Sequence, residues 1–246
     1  MEVHHHPQLH HEKKPWKEYL LEGLMIFLAV FMGFIAETIR EGISDRSKGH
    51  EYIRSFVQDL KSDTASFSHL EAFDKGKVAG LSKLTSCYDT ITNSRGADGC
   101  VVPLVKLASY NLNMNFTDGT LQQLKNAGGF RLLSKADRDS IDAYDHEVAA
   151  YKNFEGTWFQ ESQNVMRTEF IKLLNFKTLD ALFPDSGRWH AVRPALYPNN
   201  KVLVNEFFNE LKLYEGSNKI QGILLAKLKI HATTLIMHFE REYGGE

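Results

Sequence analysis

The chain has 246 residues, a formal net charge of −2, 43% hydrophobic residues and 24% charged residues. This is enough for one or two domains with a sizeable core, and it gives no electrostatic reason to expect nucleic acid as a partner. Six prolines and seventeen glycines argue against an all-β or disordered chain, and Cys87 and Cys100 are too few and too far apart for a structural zinc site.

Residues 1–18 form a tail with His4, His5, His6, His10 and His11 followed by Lys13, Lys14 and Lys17. The histidines lack a fixed scaffold, so solvation or adventitious metal affinity explains them better than a metal centre. The next segment is the most informative. Leu24–Ala36 reads LMIFLAVFMGFIA, thirteen residues without a charge, and the stretch from Leu20 to Ile39 gives twenty residues interrupted only by Glu22 and Glu37. About twenty helical residues cross the hydrocarbon layer of a bilayer. Both acids lie near the ends, where a charge costs far less than the roughly 3 kcal/mol expected at the centre. Eleven large apolar residues, each favouring insertion by about 0.5 kcal/mol, outweigh them. Trp16 and Tyr19 stand where interfacial aromatics belong. No small-residue cleavage site follows, which argues against a removed signal peptide. A transmembrane helix is therefore predicted over 19–40.

At 100° per residue, Glu22, Ile26, Ala29, Gly33, Ala36, Glu37 and Arg40 share one side of that helix. Large apolar side chains occupy the other. Ala29 and Gly33 would allow another helix to approach closely, and the polar ends would seek partners. Two readings stand: a second copy of the same helix packs here, or the helix is monomeric and the small residues are coincidental. Lysines and arginines flank both ends in similar number, but those before the helix are packed closer to it. This places the N-terminus in the cytoplasm and the large domain, 41–246, in the periplasm.

From Glu51 onward Ile53, Phe56, Leu60, Phe67, Leu70, Phe73, Leu81, Leu84, Tyr88 and Ile91 recur at helical spacing. They predict a long amphipathic helix, continuous with the anchor or weakened at Gly76 and Gly80. SRGADGCVVP (94–103) breaks it, and a short helix is expected over 104–114. For Cys87 and Cys100 a disulfide across this loop and two unpaired core thiols are equally compatible with the sequence; an oxidising compartment would favour the bridge. Thr117 or Asp118 can start a helix that ends at Gly128 or Gly129. SKAD (134–137) resembles a capping box and opens a helix running to about Leu174, with Ile141, Tyr144, Val148, Tyr151, Phe154 and Trp158 inward. A proline-rich loop, 183–200, carries Arg188, Trp189, His190 and Arg193, weak candidates for ligand contact; Trp189 serves equally as a plug for the bundle. The last helix covers about Lys201–Tyr243, with a possible break at Gly216. Its apolar run 223–239 is read as a core helix, because Lys227 and Lys229 at its centre would cost about 5 to 7 kcal/mol in lipid.

The opening MEVHHHP with KEYLLEGLMIFLAVFMGFIAE (17–37), the central FTDGTLQQLKNAGGFRLLS (116–134) and the closing YEGSNKIQGILLAKLKIHATTLI resemble a family of uncharacterised single-pass membrane proteins of gram-negative bacteria. The resemblance implies an inner-membrane anchor and a helical domain, and brings no cofactor or site residue. No nucleophile elbow, zinc-protease or P-loop pattern occurs, so an enzyme is not expected. The expected architecture is all-α: one transmembrane helix, then a bundle of long, coiled-coil-like helices. The expected function is that of an interaction or scaffold protein, homo-oligomeric through the membrane helix and holding an unknown protein partner. The alternative is an extracytoplasmic ligand-binding or sensor module that acts through a partner.

Overall fold

The computed structural model describes residues 15–93, 107–108, 110–182 and 201–244. Among them there is no β-strand, and the chain is all-α. The helices are α1 Trp16–Thr85, α2 Tyr88–Asn93, α3 Gly119–Asn126, α4 Lys135–Phe154, α5 Gln160–Leu173, α6 Phe176–Leu182 and α7 Lys201–Tyr243, with a 3-10 turn at Gly129–Leu132 and a π turn at Glu155–Phe159. The chain divides into two compact units, Met1–His50 and Glu51–Glu246.

The first unit contributes the N-terminal part of α1. Every side chain from Trp16 to Ile43 is exposed. Glu37 and Arg40 pair at 2.5 Å, one turn apart, and Phe27 stacks on Phe31. A Cβ added at Gly33 would meet nothing within 4 Å. Glu22, Ile26, Ala29, Gly33, Ala36 and Glu37 are thus all surface positions.

The second unit is held by two apolar cores. One gathers Ile53, Phe56, Leu60, Phe67 and Leu70 of α1, Ile141, Tyr144, Val148 and Tyr151 of α4, and Leu225, Leu228, Leu235 and Phe239 of α7. The other gathers Leu81 and Leu84 of α1, Phe159 of the π turn, Met166 and Phe170 of α5, and Phe207, Leu211 and Tyr214 of α7. The inward positions of α1 step by three and four residues without a fault: 53, 56, 60, 63, 67, 70, 74, 77, 81, 84. This is the heptad spacing that lets helices pack knobs into holes.

Several expectations hold and several are corrected. Gly76, Gly80 and Gly216 sit inside unbroken helices, because tertiary packing on both sides outweighs the roughly 1 kcal/mol that a helical glycine costs. Phe73 is only half-buried and Tyr88 is 36% exposed; Asp74 takes the inward position instead. Of the short helix expected over 104–114, Leu107 and Ala108 are helical and residues 110–118 are not, while residues 104–106 and 109 lie outside the described residues. At the start of α3, Asp118 occupies the cap position without a bond to the helix's own N–H groups, its carboxylate accepting from Lys152 Nζ at 3.2 Å. Asp63 and Asp59 of α1 accept from the backbone N–H groups of Thr117 and Thr120 instead, at 2.9 and 3.2 Å. A neighbouring helix thus supplies the acceptors that the first turn lacks. Gly128 takes the left-handed conformation at φ 70°. Ser134 Oγ accepts from Asp137 N–H at 3.1 Å, the N-cap half of the expected box, and the Ser134 hydroxyl donates to Asp137 Oδ2 at 2.7 Å. Trp158 is 74% exposed, while its neighbour Phe159 is buried.

Among the described residues two helices, α1 and α7, are long and apolar enough to cross a membrane. They differ in what surrounds them. The apolar window of α1 is wholly exposed, whereas 28% of the α7 window is buried. Lys227 and Lys229 of α7 pair with Glu147 and Glu71 at 3.0 and 2.9 Å, and His231 Nδ1 lies 3.0 Å from Glu147. These contacts belong to a helix packed in a bundle, the expectation for 223–239.

Candidate functional site: a polar layer between two cores

The two apolar cores are separated by charged and amide side chains on α1, α7 and the π turn. Asp74 and Lys77 hold two consecutive heptad positions of α1, each at most 3% exposed. Asn218 and Gln221 do the same on α7 and are fully buried. Glu155 enters from the π turn. Burying such groups is costly unless each finds a partner, and here the satisfaction is uneven.

Glu155 Oε1 accepts from Tyr151 Oη at 2.9 Å, from the backbone N–H of Met114 at 3.3 Å and from Gln221 Nε2 at 3.4 Å. Gln221 Nε2 also donates to Tyr151 Oη at 3.2 Å. Lys77 Nζ donates to Tyr214 Oη at 2.7 Å and lies 5.5 Å from the centre of the Phe159 ring. Asn218 Nδ2 donates to the Tyr214 carbonyl one turn back, at 2.7 Å. Both oxygens of Asp74, Asn218 Oδ1 and Gln221 Oε1 are left buried without a partner.

The charges register this. Burial pushes the Asp74 carboxyl up to about 6, with Glu155 adding to the rise and Lys77 opposing it. Burial pulls the Lys77 ammonium down to about 8 against the opposing pull of Asp74. Burial pushes the Tyr214 hydroxyl up to about 12 and raises that of Tyr151. Glu215, beside the layer on α7, is different. Burial pushes its carboxyl up, but hydrogen bonds from Lys219, Ser82 and Lys212 prevail and hold it at about 2.

Glu155 follows Tyr151 by four residues, a regular helical step, and the π turn begins at it. The inward residues of α4 step 141, 144, 148, 151 and then 155; those after the turn step 159, 163, 166, 170, 173. One extra residue lies between the two series. A single inserted residue is what a π bulge accommodates, frequently at a functional site.

Beside the layer, α1 and α7 leave a groove of about 590 Å³. Its lining includes Asp74 and Asn218 among apolar or small residues such as Val78, Ala79, Gly222 and Ile223. Of the residues singled out from sequence, Cys87 is buried and disulfide-bonded; Cys100 lies outside the described residues, as do Arg188, Trp189, His190, Arg193, Ile91's side chain and the histidine tail. Among the described residues no group of His, Cys, Asp and Glu is arranged to hold a metal. The polar layer itself carries a sequence signal that went unread. The heptad that fixes Phe67, Leu70, Leu81 and Leu84 also demands inward residues at 74 and 77, and those are Asp and Lys.

The fold and site together define an all-α protein whose helical body is packed in heptads and divided by a buried polar layer. Compared with known families, with characterised proteins and with solved structures, the chain matches none.

Proposed function

We propose that this is a single-span inner-membrane protein whose helical body, outside the cytoplasm, serves as an interaction module. The observation that carries the reading is the complete exposure of the apolar window of α1, about the length of a bilayer crossing. Apolar side chains bared on this scale need lipid or protein to cover them. The disulfide at Cys87 favours an oxidising compartment for the body. The likeness to single-pass proteins of gram-negative bacteria supports the same placement. Washing membranes with alkaline carbonate tests it: the chain stays in the pellet, and its release would remove the anchor.

The interaction partner includes a second copy of the chain. In the anchor, Ala29 and Gly33 offer a smooth approach for an identical helix. Gly33→Ile, which fills open space and strains nothing within the monomer, lowers the signal of a membrane-helix association reporter severalfold. An unchanged signal would mean that the anchor is monomeric.

The alternative reading, a module that takes a small ligand between its helices, is favoured by one observation: α1 and α7 leave a groove of about 590 Å³ walled in part by Val78, Ala79, Gly222 and Ile223. Interhelical clefts are common ligand sites.

A further inference from the structure

We propose that the outward face of α7 is where two copies of the helical body meet, α7 of one packing antiparallel on α7 of the other. The contact deepens the interaction-module reading by naming a second copy as the body's partner, and it is separate from the contact at Gly33. Leu213, Ile220, Ile223, Ile230 and Met237 are each at least 48% exposed. They fall on one heptad series, 213, 216, 220, 223, 227, 230, 234 and 237, completed by Gly216, Lys227 and Thr234. The buried residues of α7 include a second series on the opposite side, 211, 214, 218, 221, 225, 228, 232, 235 and 239. A helix that is apolar on two opposite sides belongs inside a larger bundle, and the described helices cover only one side of this one. The outer series says what covers the other. Antiparallel helices set alternate positions of a heptad seam against each other, and reversing α7 about residue 225 carries the series onto itself. Leu213 meets the partner's Met237, Ile220 the partner's Ile230, and Gly216 the partner's Thr234. The charges favour this direction. Along the flank nearer α1 the same reversal brings Lys212 beside the partner's Glu240, both of them exposed, and opposite charges across a rim fix register. A parallel pair would instead set Lys227 against the partner's Lys227. In the antiparallel pair Lys227 lies beside the partner's Ile223, its ammonium drawn aside to Glu147 at 3.0 Å. Near the axis Gly222 and Ala226, with Ala79 of α1, line the groove of about 590 Å³ and leave room for the partner's Ile223.

Cross-linking of the full chain in mild detergent tests the contact, in a Gly33→Ile background that removes the one in the anchor. Cys87 is disulfide-bonded, so a short bismaleimide reports on introduced thiols, with the parent chain as the blank. A mixture of Ile220→Cys and Ile230→Cys chains gives a cross-linked dimer, and neither chain alone does. Ile220→Lys, which sets an ammonium against the partner's Ile230, weakens dimerisation by about a hundredfold in sedimentation. Its thermal transition is retained, since Ile220 belongs to neither apolar core. If either cysteine chain alone cross-links as strongly as the mixture, the helices run in another direction or register and the proposed contact is wrong. A dimer untouched by Ile220→Lys would be held by another surface. If neither dimer nor cross-link forms, α7 is not covered by a second copy. The interaction-module reading outlives that result where a different protein is retained through purification, and falls with the contact where none is.

Discussion

The helical body loses about 3 kcal/mol of stability as the pH rises from about 4 to about 6, through Asp74 alone, and Asp74→Asn removes that loss. The sign follows from the direction of the shift. The folded carboxyl holds its proton up to about 6, against an ordinary value of 3.8. Below 3.8 both states are protonated and Asp74 has no effect. Through the interval the unfolded chain ionises first, so folding is penalised progressively, and above 6 the penalty is constant. Lys77 mirrors this at the alkaline end. Its folded value of about 8 lies below the ordinary 10.5, so its penalty is complete below 8 and disappears as the pH rises towards 10.5. Between 6 and 8 both penalties act at once, and the polar layer is least favourable to the fold around neutrality. Glu215 works in the opposite sense: held at about 2, it stabilises the fold above 4.5 and loses that contribution as the pH falls towards 2. Its window barely overlaps that of Asp74. Denaturant unfolding of the full chain in detergent, parent against Asp74→Asn at several pH values, isolates the Asp74 component. A parallel pair of curves would show that the carboxylate is solvated in the folded protein.

A layer that weakens the fold at neutral pH is a cost that packing alone does not explain, since hydrophobic residues of similar size at a buried charged site are often more stable. Buried polar layers in heptad-packed helices have one well-attested use, the fixing of register between helices. Glu155, Tyr151 and Gln221 fit that use, because their bonds join the π turn to α7. Asp74 does not, because it bonds nothing. This asymmetry sets Asp74 apart from the rest of the layer: its carboxyl is the member whose burial no bond offsets.

The all-α class, the long first and last helices, the Ser134 cap and the left-handed Gly128 were legible in the sequence because each rests on local chemistry: spacing, an N-cap oxygen, a glycine. What was not legible depends on partners distant in the chain. The start of α3 is capped by Asp59 and Asp63, more than fifty residues upstream, and no local motif announces a cap supplied by another helix. Phe73 looked like the next inward residue because it is apolar, whereas the unbroken three–four spacing already required Asp74 and Lys77. In that case the pattern was present, and hydrophobicity misled where periodicity did not.

The same distinction predicts the sharpest contrast between two adjacent side chains. Phe159→Ala costs about 3 to 5 kcal/mol, the usual cost of truncating a buried aromatic ring, whereas Trp158→Ala stays within about 0.5 kcal/mol, as an exposed position should. Sequence spacing gives the reverse order. Trp158 lies seven residues after Tyr151, two helical turns on, and a regular α-helix would carry it inward. The extra residue accommodated in the π turn advances the phase by one position, so Trp158 is 74% exposed and Phe159 is 1% exposed, tilted against the Tyr214 ring at 5.9 Å and beneath Lys77. Phe159 belongs to the core that begins where the polar layer ends, so its loss also uncovers the Lys77 ammonium. Denaturant unfolding of both variants measures the contrast. A larger cost for Trp158→Ala would mean that α4 and α5 run through as one regular helix.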